Sequence, residues 1–177
     1  MNVKTMSLEV YQAEGEVVWA AKDNVEFLKE RADESPRRRA RMLAHPSPDD
    51  SIHEMLVVLA RDNYIHPHIH PNKTESFHMI EGRMNVILFR EDGEVFEVVR
   101  MGDLASGRPC YYRQTKPLYH TIIPLTDFVA FTEVTPGPFD SSDTMLAAWA
   151  PPEGPDGKLK AYIEDLGERT DDGSNGR

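Results

Sequence analysis

The stretch His68-Ile69-His70-Pro71-Asn72-Lys73-Thr74-Glu75, followed at a short interval by Gly82, decides how this chain is read. Imidazole nitrogen and carboxylate oxygen are the ligand types that suit first-row divalent metals. Alternation along a strand sends His68 and His70 to the same face, so the backbone aims two ligands together. Pro71-Asn72-Lys73-Thr74 is turn-like in composition and folds the chain back to bring Glu75 to them, while Gly82 opens the next tight turn. A fourth ligand must come from far away in sequence. His120 is the best candidate, because it sits in the strand-like stretch Leu118-Tyr119-His120-Thr121-Ile122-Ile123. Three neutral His and one carboxylate suit Fe(II), Mn(II), Ni(II), Co(II) or Zn(II), so one divalent transition metal per chain is expected, with its identity open. In octahedral geometry four protein ligands leave two positions for a ligand or substrate.

Working outward, the signals are mostly β. Ile52 to Ala60, Glu75 to Glu81, Met84 to Arg90 and Glu94 to Arg100 read as strands joined by Gly82-Arg83 and Asp92-Gly93 turns. Gly102 to Leu104, Leu118 to Ile123 and Asp127 to Val134 add more. Short connections between successive strands predict an antiparallel sheet, with enough strands to close a jelly roll. Before them, Leu8 to Tyr11 and Glu16 to Trp19 are expected as short strands around Glu14-Gly15. Asp23 to about Ala32 reads as a helix with Asp23 as N-cap, Glu26 completing a capping box, and Val25, Leu28 and Ala32 at helical spacing. After Pro155 the chain turns polar; Leu159 to Glu164 is compatible with one surface helix, and Thr170 to Arg177 reads as disordered. The expected organisation is an N-terminal strand and helix extension over 1–50, a barrel over 51–155, and a polar tail over 156–177.

Several segments carry a family resemblance. They are Ser35-Pro36-Arg37-Arg38-Arg39, His45, Tyr64-Ile65-His66-Pro67-His68-Ile69-His70-Pro71, Pro136-Gly137-Pro138-Phe139-Asp140 and Ala148-Trp149-Ala150-Pro151-Pro152-Glu153-Gly154. In that order, over about residues 24 to 155, they resemble the WbuC family of cupin-fold metalloproteins, and the His/Glu spacing itself is that of the first cupin motif. The resemblance implies an all-β cupin jelly-roll barrel with a small N-terminal helical segment. It also implies a metal held by three His and one Glu, and an association with surface polysaccharide and O-antigen gene clusters. It implies no particular reaction. The chain departs from the general cupin pattern at Asp62, where the first motif begins with Gly, and at Pro124, where the second ends with Asn. His66 stands where family members more usually carry Arg.

Around the metal ligands, five further residues are expected to bind the ligand. His66 lies two residues before His68 and on the same face by strict alternation, which Pro67 can disturb. His45 is placed at the barrel mouth by the resemblance. Arg37, Arg38 and Arg39 form a basic triplet suited to phosphate or carboxylate, with a solvated basic face as the plainer reading. Asn72, Asn85, Tyr119 and Thr121 are candidates to orient the metal ligands. His78 has the opposite parity to Glu75 and should point outward or pack in an interface. Trp149 reads as a packing strap or as a ring that stacks on a sugar, and Cys110 as a small packed hydrophobe.

The bulk composition narrows the function classes. At 177 residues one domain with short tails is expected. Thirty acidic against 20 basic residues, a formal charge of −10, argue against non-specific binding to nucleic acid or an anionic membrane. A single cysteine excludes an intramolecular disulfide and fits a reducing compartment. No apolar run approaches the ~20 residues of a membrane span, and residues 1–30 lack the apolar core of a signal peptide. A cytoplasmic homodimer is the resulting expectation. Two functions remain open: a metal-dependent enzyme acting on a small polar, carbohydrate-derived or anionic molecule, including dioxygenase chemistry, or a non-catalytic module that senses a sugar or nucleotide-sugar.

Overall fold

A computed structural model of the chain describes residues 2–154 and 157–170. Twelve strands and two α-helices follow in the order β1 (Asn2–Thr5), β2 (Val10–Glu14), α1 (Lys22–Glu34), β3 (Arg39–Leu43), β4 (Ile52–Ala60), β5 (His68–Ile69), β6 (Glu75–Glu81), β7 (Arg83–Phe89), β8 (Val95–Gly102), β9 (Tyr111–Gln114), β10 (Tyr119–Pro124), β11 (Phe128–Pro136), β12 (Met145–Leu146) and α2 (Gly157–Thr170). The strands make two sheets, ordered β1-β2-β3-β4-β11-β6-β9 and β12-β5-β10-β7-β8. Among the described residues only the β2/β3 pairing is parallel. The all-β jelly roll expected from the sequence is therefore observed.

The core lies between the sheets. Inward residues of β4 (Met55, Val57, Leu59), β6 (Phe77, Met79), β7 (Met84, Val86, Leu88) and β11 (Val129, Phe131) form one buried cluster. Phe77 and Phe131 meet edge to face at 5.2 Å. Truncating Phe131 to Ala would remove a 1 % exposed ring and cost ~3–5 kcal/mol. The other face of β4 is buried too. Leu56 and Val58, with Ala130 of β11 and Ala40 and Met42 of β3, pack under Val25, Leu28 and Ala32 of α1. Burial on both faces explains why β4 reads as a continuous apolar run from Met55 rather than an alternating one.

The five-stranded sheet has its outer face covered by α2. Leu166 and Tyr162 pack with Ile87, Phe89, Tyr119 and Trp149, so Trp149 is a packing residue on the side away from the sheet interface. The helix is longer than the sequence indicated, and its last residue, Thr170, is buried. Of the stretch expected to be disordered from Thr170 onward, Thr170 instead ends α2 and is buried, and residues 171–177 lie outside the described residues.

Local differences from the sequence reading have simple causes. The N-terminal hairpin turns before Val10 instead of at Gly15, because β2 pairs with both β1 and β3 and its ladder ends at Glu14. Glu16 to Trp19 is an irregular connection. Helix α1 begins at Lys22, and Asn24 Oδ1 accepts the Ala21 N–H at 2.9 Å, replacing the expected Asp23 cap; Asp23 lies in the first turn, where its charge suits the helix dipole. The Gly82 turn is as expected: φ is +84°, and a Cβ there would lie 2.5 Å from the Phe128 carbonyl oxygen.

Candidate metal centre

Strand β5 is two residues long because Pro67 and Pro71 bracket it and neither offers an N–H to a ladder. It lies between β12 and β10, and His68 is the direct register partner of His120. Their rings are 4.3 Å apart, and those of His68 and His70 are 4.8 Å apart. One ring nitrogen from each of His68, His70 and His120 falls within 4.8 Å of the others. Glu75 arrives from the opposite sheet at the start of β6, with one carboxylate oxygen 2.7 Å from His120 Nε2 and the other 3.8 Å from His70 Nε2. The structure thus brings together the four residues that the sequence singled out as ligands.

The ring tautomers follow from backbone acceptors. His68 Nδ1 is 2.8 Å from the His66 carbonyl oxygen, His70 Nδ1 is 3.0 Å from that of Asp143, and His120 Nδ1 is 3.1 Å from that of Leu118. A carbonyl only accepts, so each Nδ1 carries the proton and each neutral ring presents the Nε2 lone pair. Glu75 Oε1 is buried 2.7 Å from His120 Nε2, with no other hydrogen-bond partner among the described residues. Two lone-pair acceptors at that distance repel unless a positive charge lies between them. Either a proton or a metal ion must supply it, and three nitrogen donors with one carboxylate are a donor set that fits a divalent transition metal.

The electrostatics agree. Burial, reinforced by the charge of His120, holds His68 down at about 3, so it is neutral across the physiological range. Burial pulls His120 down, but the Glu75 carboxylate outweighs it and raises the imidazole above its usual value. Burial likewise pushes Glu75 up, and the surrounding imidazoles, His120 first, bring it below the usual carboxylate range. His120 and Glu75 hold a proton between them where a metal would replace it.

The groups that orient the ligands are largely backbone, which the sequence reading did not anticipate. Leu118 C=O accepts from His120 Nδ1 and also from Gln114 Nε2 at 3.1 Å, and Gln114 Oε1 accepts from Tyr112 Oη at 2.7 Å. Asp143, whose carbonyl orients His70, is fixed by Lys73, whose Nζ lies 2.9 Å from Asp143 Oδ2 and 2.7 Å from the Pro138 oxygen. Of the side chains expected to orient the ligands, Thr121 donates to the Ile65 carbonyl next to His66. Asn85 is buried with its Oδ1 unpartnered.

The site opens into a cavity of about 300 Å³ that also takes in His66, Arg37, Arg39, Arg41, Glu9, Glu133 and Glu153. His66 lines it but turns Nε2 to the Ala147 carbonyl at 3.0 Å and stands outside the three-histidine cluster. Arg37 pairs with Glu153 at 3.0 Å and Glu9 at 3.5 Å, and Arg39 with Glu9 at 3.3 Å. Arg38 is separated from the cavity. Its φ of 56° turns it the other way, to Asp33 at 2.7 Å and Asp62 at 2.9 Å. Asp62, where the general motif has Gly, thus pins Arg38. His45 belongs to an adjoining cavity of about 310 Å³, stacked on His53 at 4.0 Å. His78 is exposed and stacks on Tyr111.

Arg41 is the residue that the sequence reading missed. Residues 39–43 alternate: Ala40 and Met42 are buried beneath α1, which leaves Arg39, Arg41 and Leu43 on the cavity side. That period-two pattern was legible, but the arginine run and Pro36 obscured it.

With this geometry in place, comparison with known proteins identifies the architecture. A family model described as a domain of unknown function, DUF6016, matches residues 20–101, a span that includes His68, His70 and Glu75 but stops before His120. No curated protein matches the sequence. The fold is similar to protein SO0799 from Shewanella oneidensis, at 16% identity and a TM-score of 0.53, covering 73% of this chain and 85% of that one. It is also similar to the capsular polysaccharide assembling protein CapF from Staphylococcus aureus, at 16% identity and a TM-score of 0.51; the match covers 63% of this chain and only 30% of CapF. These are cupin-fold proteins, and at this identity the likeness is one of fold alone. The chain has the cupin fold, with a histidine cluster able to hold a metal.

Proposed function

We propose that this protein is a metal-binding cupin that holds one divalent transition metal through His68, His70, Glu75 and His120 and binds a small polar ligand beside it. The observation that carries the reading is the set of three Nδ1–H···O=C bonds, which leaves three Nε2 lone pairs and a buried carboxylate oxygen facing one another. Such an arrangement is costly without a cation. The metal, when bound, supplies Lewis acidity and, if redox-active, a means of activating dioxygen. The chain's own residues orient the ligands, screen the site between the two sheets, and line the cavity with charge. Arg37 and Arg39, braced by Glu9 and Glu153, shape its mouth.

The ligand class in this reading is a small anionic or sugar-derived molecule, consistent with the resemblance to the WbuC family and its link to surface polysaccharide. The acidic composition and single cysteine support a cytoplasmic protein, and no described helix is long and apolar enough to cross a membrane. A homodimer is part of the proposal. The test is metal analysis of protein purified without added metal, together with mass spectrometry of co-purified small molecules. About one equivalent of metal per chain, lost in His70→Ala, is expected; full occupancy in His70→Ala would sink the assignment.

A further inference from the structure

The cavity above the metal centre and the one beside it share His70, Arg41, Glu133 and Thr144, so the two adjoin. Their cations are not equivalent. Arg37 and Arg39 are matched by Glu9 and Glu153, and Lys73 by Asp143. Arg41 lines both cavities, is exposed to the solvent there, and forms no ion pair among the described residues. Its charge is felt by Glu133 and His45 without a direct bridge to either.

Charge balance gives the sign of what belongs beside it. Four carboxylates, Glu9, Glu75, Glu133 and Glu153, and three guanidiniums, Arg37, Arg39 and Arg41, line the first cavity. A divalent cation then leaves the lining at least one net positive charge. Leu43, Pro48, Met55 and Phe139 give the second cavity an apolar wall that suits the body of a ligand, beside the paired charges of Lys73 and Asp143 and the carboxylate of Asp140. One unmatched guanidinium fork fits two oxygens of a carboxylate or a phosphate; its single charge balances a carboxylate monoanion and leaves half the charge of a phosphate dianion uncompensated.

We propose that Arg41 is the carboxylate-binding residue of this protein, and that the ligand is an organic monocarboxylic acid whose polar end faces the His68/His70/His120 cluster and whose apolar body occupies the cavity beside Met55 and Phe139. This rests on the metal-centre reading for the direction of the polar end, and on Arg41 and the second cavity for the rest. Between the carboxylate and the phosphate that arginine suits, it selects the carboxylate.

The test is calorimetric titration of the purified, metal-loaded protein with 2-hydroxyhexanoate, 2-hydroxyhexanamide, glycolate and inorganic phosphate, with metal content measured in every sample. Arg41→Gln is expected to weaken 2-hydroxyhexanoate about threefold to tenfold, as an exposed charge-assisted contact should, and to leave the amide unchanged. Arg41→Lys should keep part of the affinity. Phe139→Ala should weaken 2-hydroxyhexanoate but not glycolate, which is too short to reach it. The proposal is overturned if Arg41→Gln binds the acid as well as the parent, if acid and amide lose alike, if phosphate binds more tightly than the acid, or if the acid does not bind. Full metal content with no Arg41 effect removes this subsite and leaves the metal centre standing. An Arg41-dependent preference for the acid in protein that takes up no metal removes the metal centre and leaves the subsite.

Discussion

Gln114 and His120 donate to the same acceptor, the Leu118 carbonyl oxygen, at 3.1 Å each. The arrangement ties the ring orientation of His120 to a side chain that is not itself aimed at the metal, and Tyr112 steadies that side chain from behind at 2.7 Å. Gln114 also pairs in register with Glu75 across β6 and β9, so one residue braces the supports of two ligands. Gln114→Ala is expected to lower metal affinity about tenfold while leaving the fold intact, in line with the effect of removing a partner that orients a ligand. Competition against a chelator measures it. Wild-type affinity in Gln114→Ala would show that the strand geometry alone fixes His120.

Each ligand deletion removes one donor and leaves a gap for water. His68→Ala, His70→Ala and Glu75→Ala are expected to lose most bound metal, and His120→Ala to weaken binding by about tenfold or more. The metal-free proteins should differ in stability too. Glu75→Ala leaves His120 without its carboxylate and removes what raises its pKa, so nuclear magnetic resonance titration of the His120 ring should show it turning neutral at lower pH than in the metal-free parent.

Much of this site was legible because it is written in short-range spacing. His68 and His70 share a face by alternation, Glu75 returns through a turn of Pro, Asn, Lys and Thr, and Gly82 occupies the positive-φ position that the turn requires. The limits of β4 and β6 were legible from local signals too, β4 as an apolar run and β6 as the stretch from Glu75 to the Gly82 turn. What was hidden depends on long-range registry. The sequence does not say that Asp143 or Leu118 would offer carbonyls to His70 and His120, since a backbone acceptor has no residue signature. Nor does it say that Glu9 and Glu153, at opposite ends of the chain, neutralise Arg37 and Arg39 while Arg38 turns to Asp33 and Asp62. A run of three arginines looks uniform until the backbone at Arg38 adopts a φ of 56°.

Proton competition sets a pH window. His68 is held at about 3 in the folded protein by burial, against a reference near ~6.5 in the unfolded chain. Between those values the unfolded chain binds the proton and the folded one does not, so the His68 contribution to stability falls as pH drops from ~6.5 towards 3, while the raised His120 in the metal-free protein contributes in the opposite direction. Metal binding adds to the His68 effect in the same direction, because the metal needs neutral imidazoles and displaces the proton shared by His120 and Glu75. The thermal stabilisation gained on adding metal should therefore be large at pH 7.5 and much smaller at pH 5. Equal gains at the two values, read from melting curves with and without metal, would contradict the ligand set.

The arginine triplet divides by partner, and the division can be measured. Arg37 and Arg39 sit at the mouth of the metal-bearing cavity, where removing either leaves Glu9 or Glu153 less compensated and adds negative potential in the path of an anion. Arg38 is absent from the cavity lining and spends its charge on Asp33 and Asp62. Its ion pairs are exposed at the surface, where such contacts contribute ~0–1 kcal/mol and are screened over roughly 8 Å at physiological salt. An Arg37→Gln/Arg39→Gln double variant is expected to bind a carboxylate probe such as 2-hydroxyhexanoate severalfold more weakly at low salt, with the deficit shrinking as salt is added and metal content unchanged. Arg38→Gln should bind it as the parent does at every salt concentration. If the double variant matches the parent across the salt series, Arg37 and Arg39 serve only to brace Glu9 and Glu153, and Arg41 alone supplies the positive charge that a ligand meets.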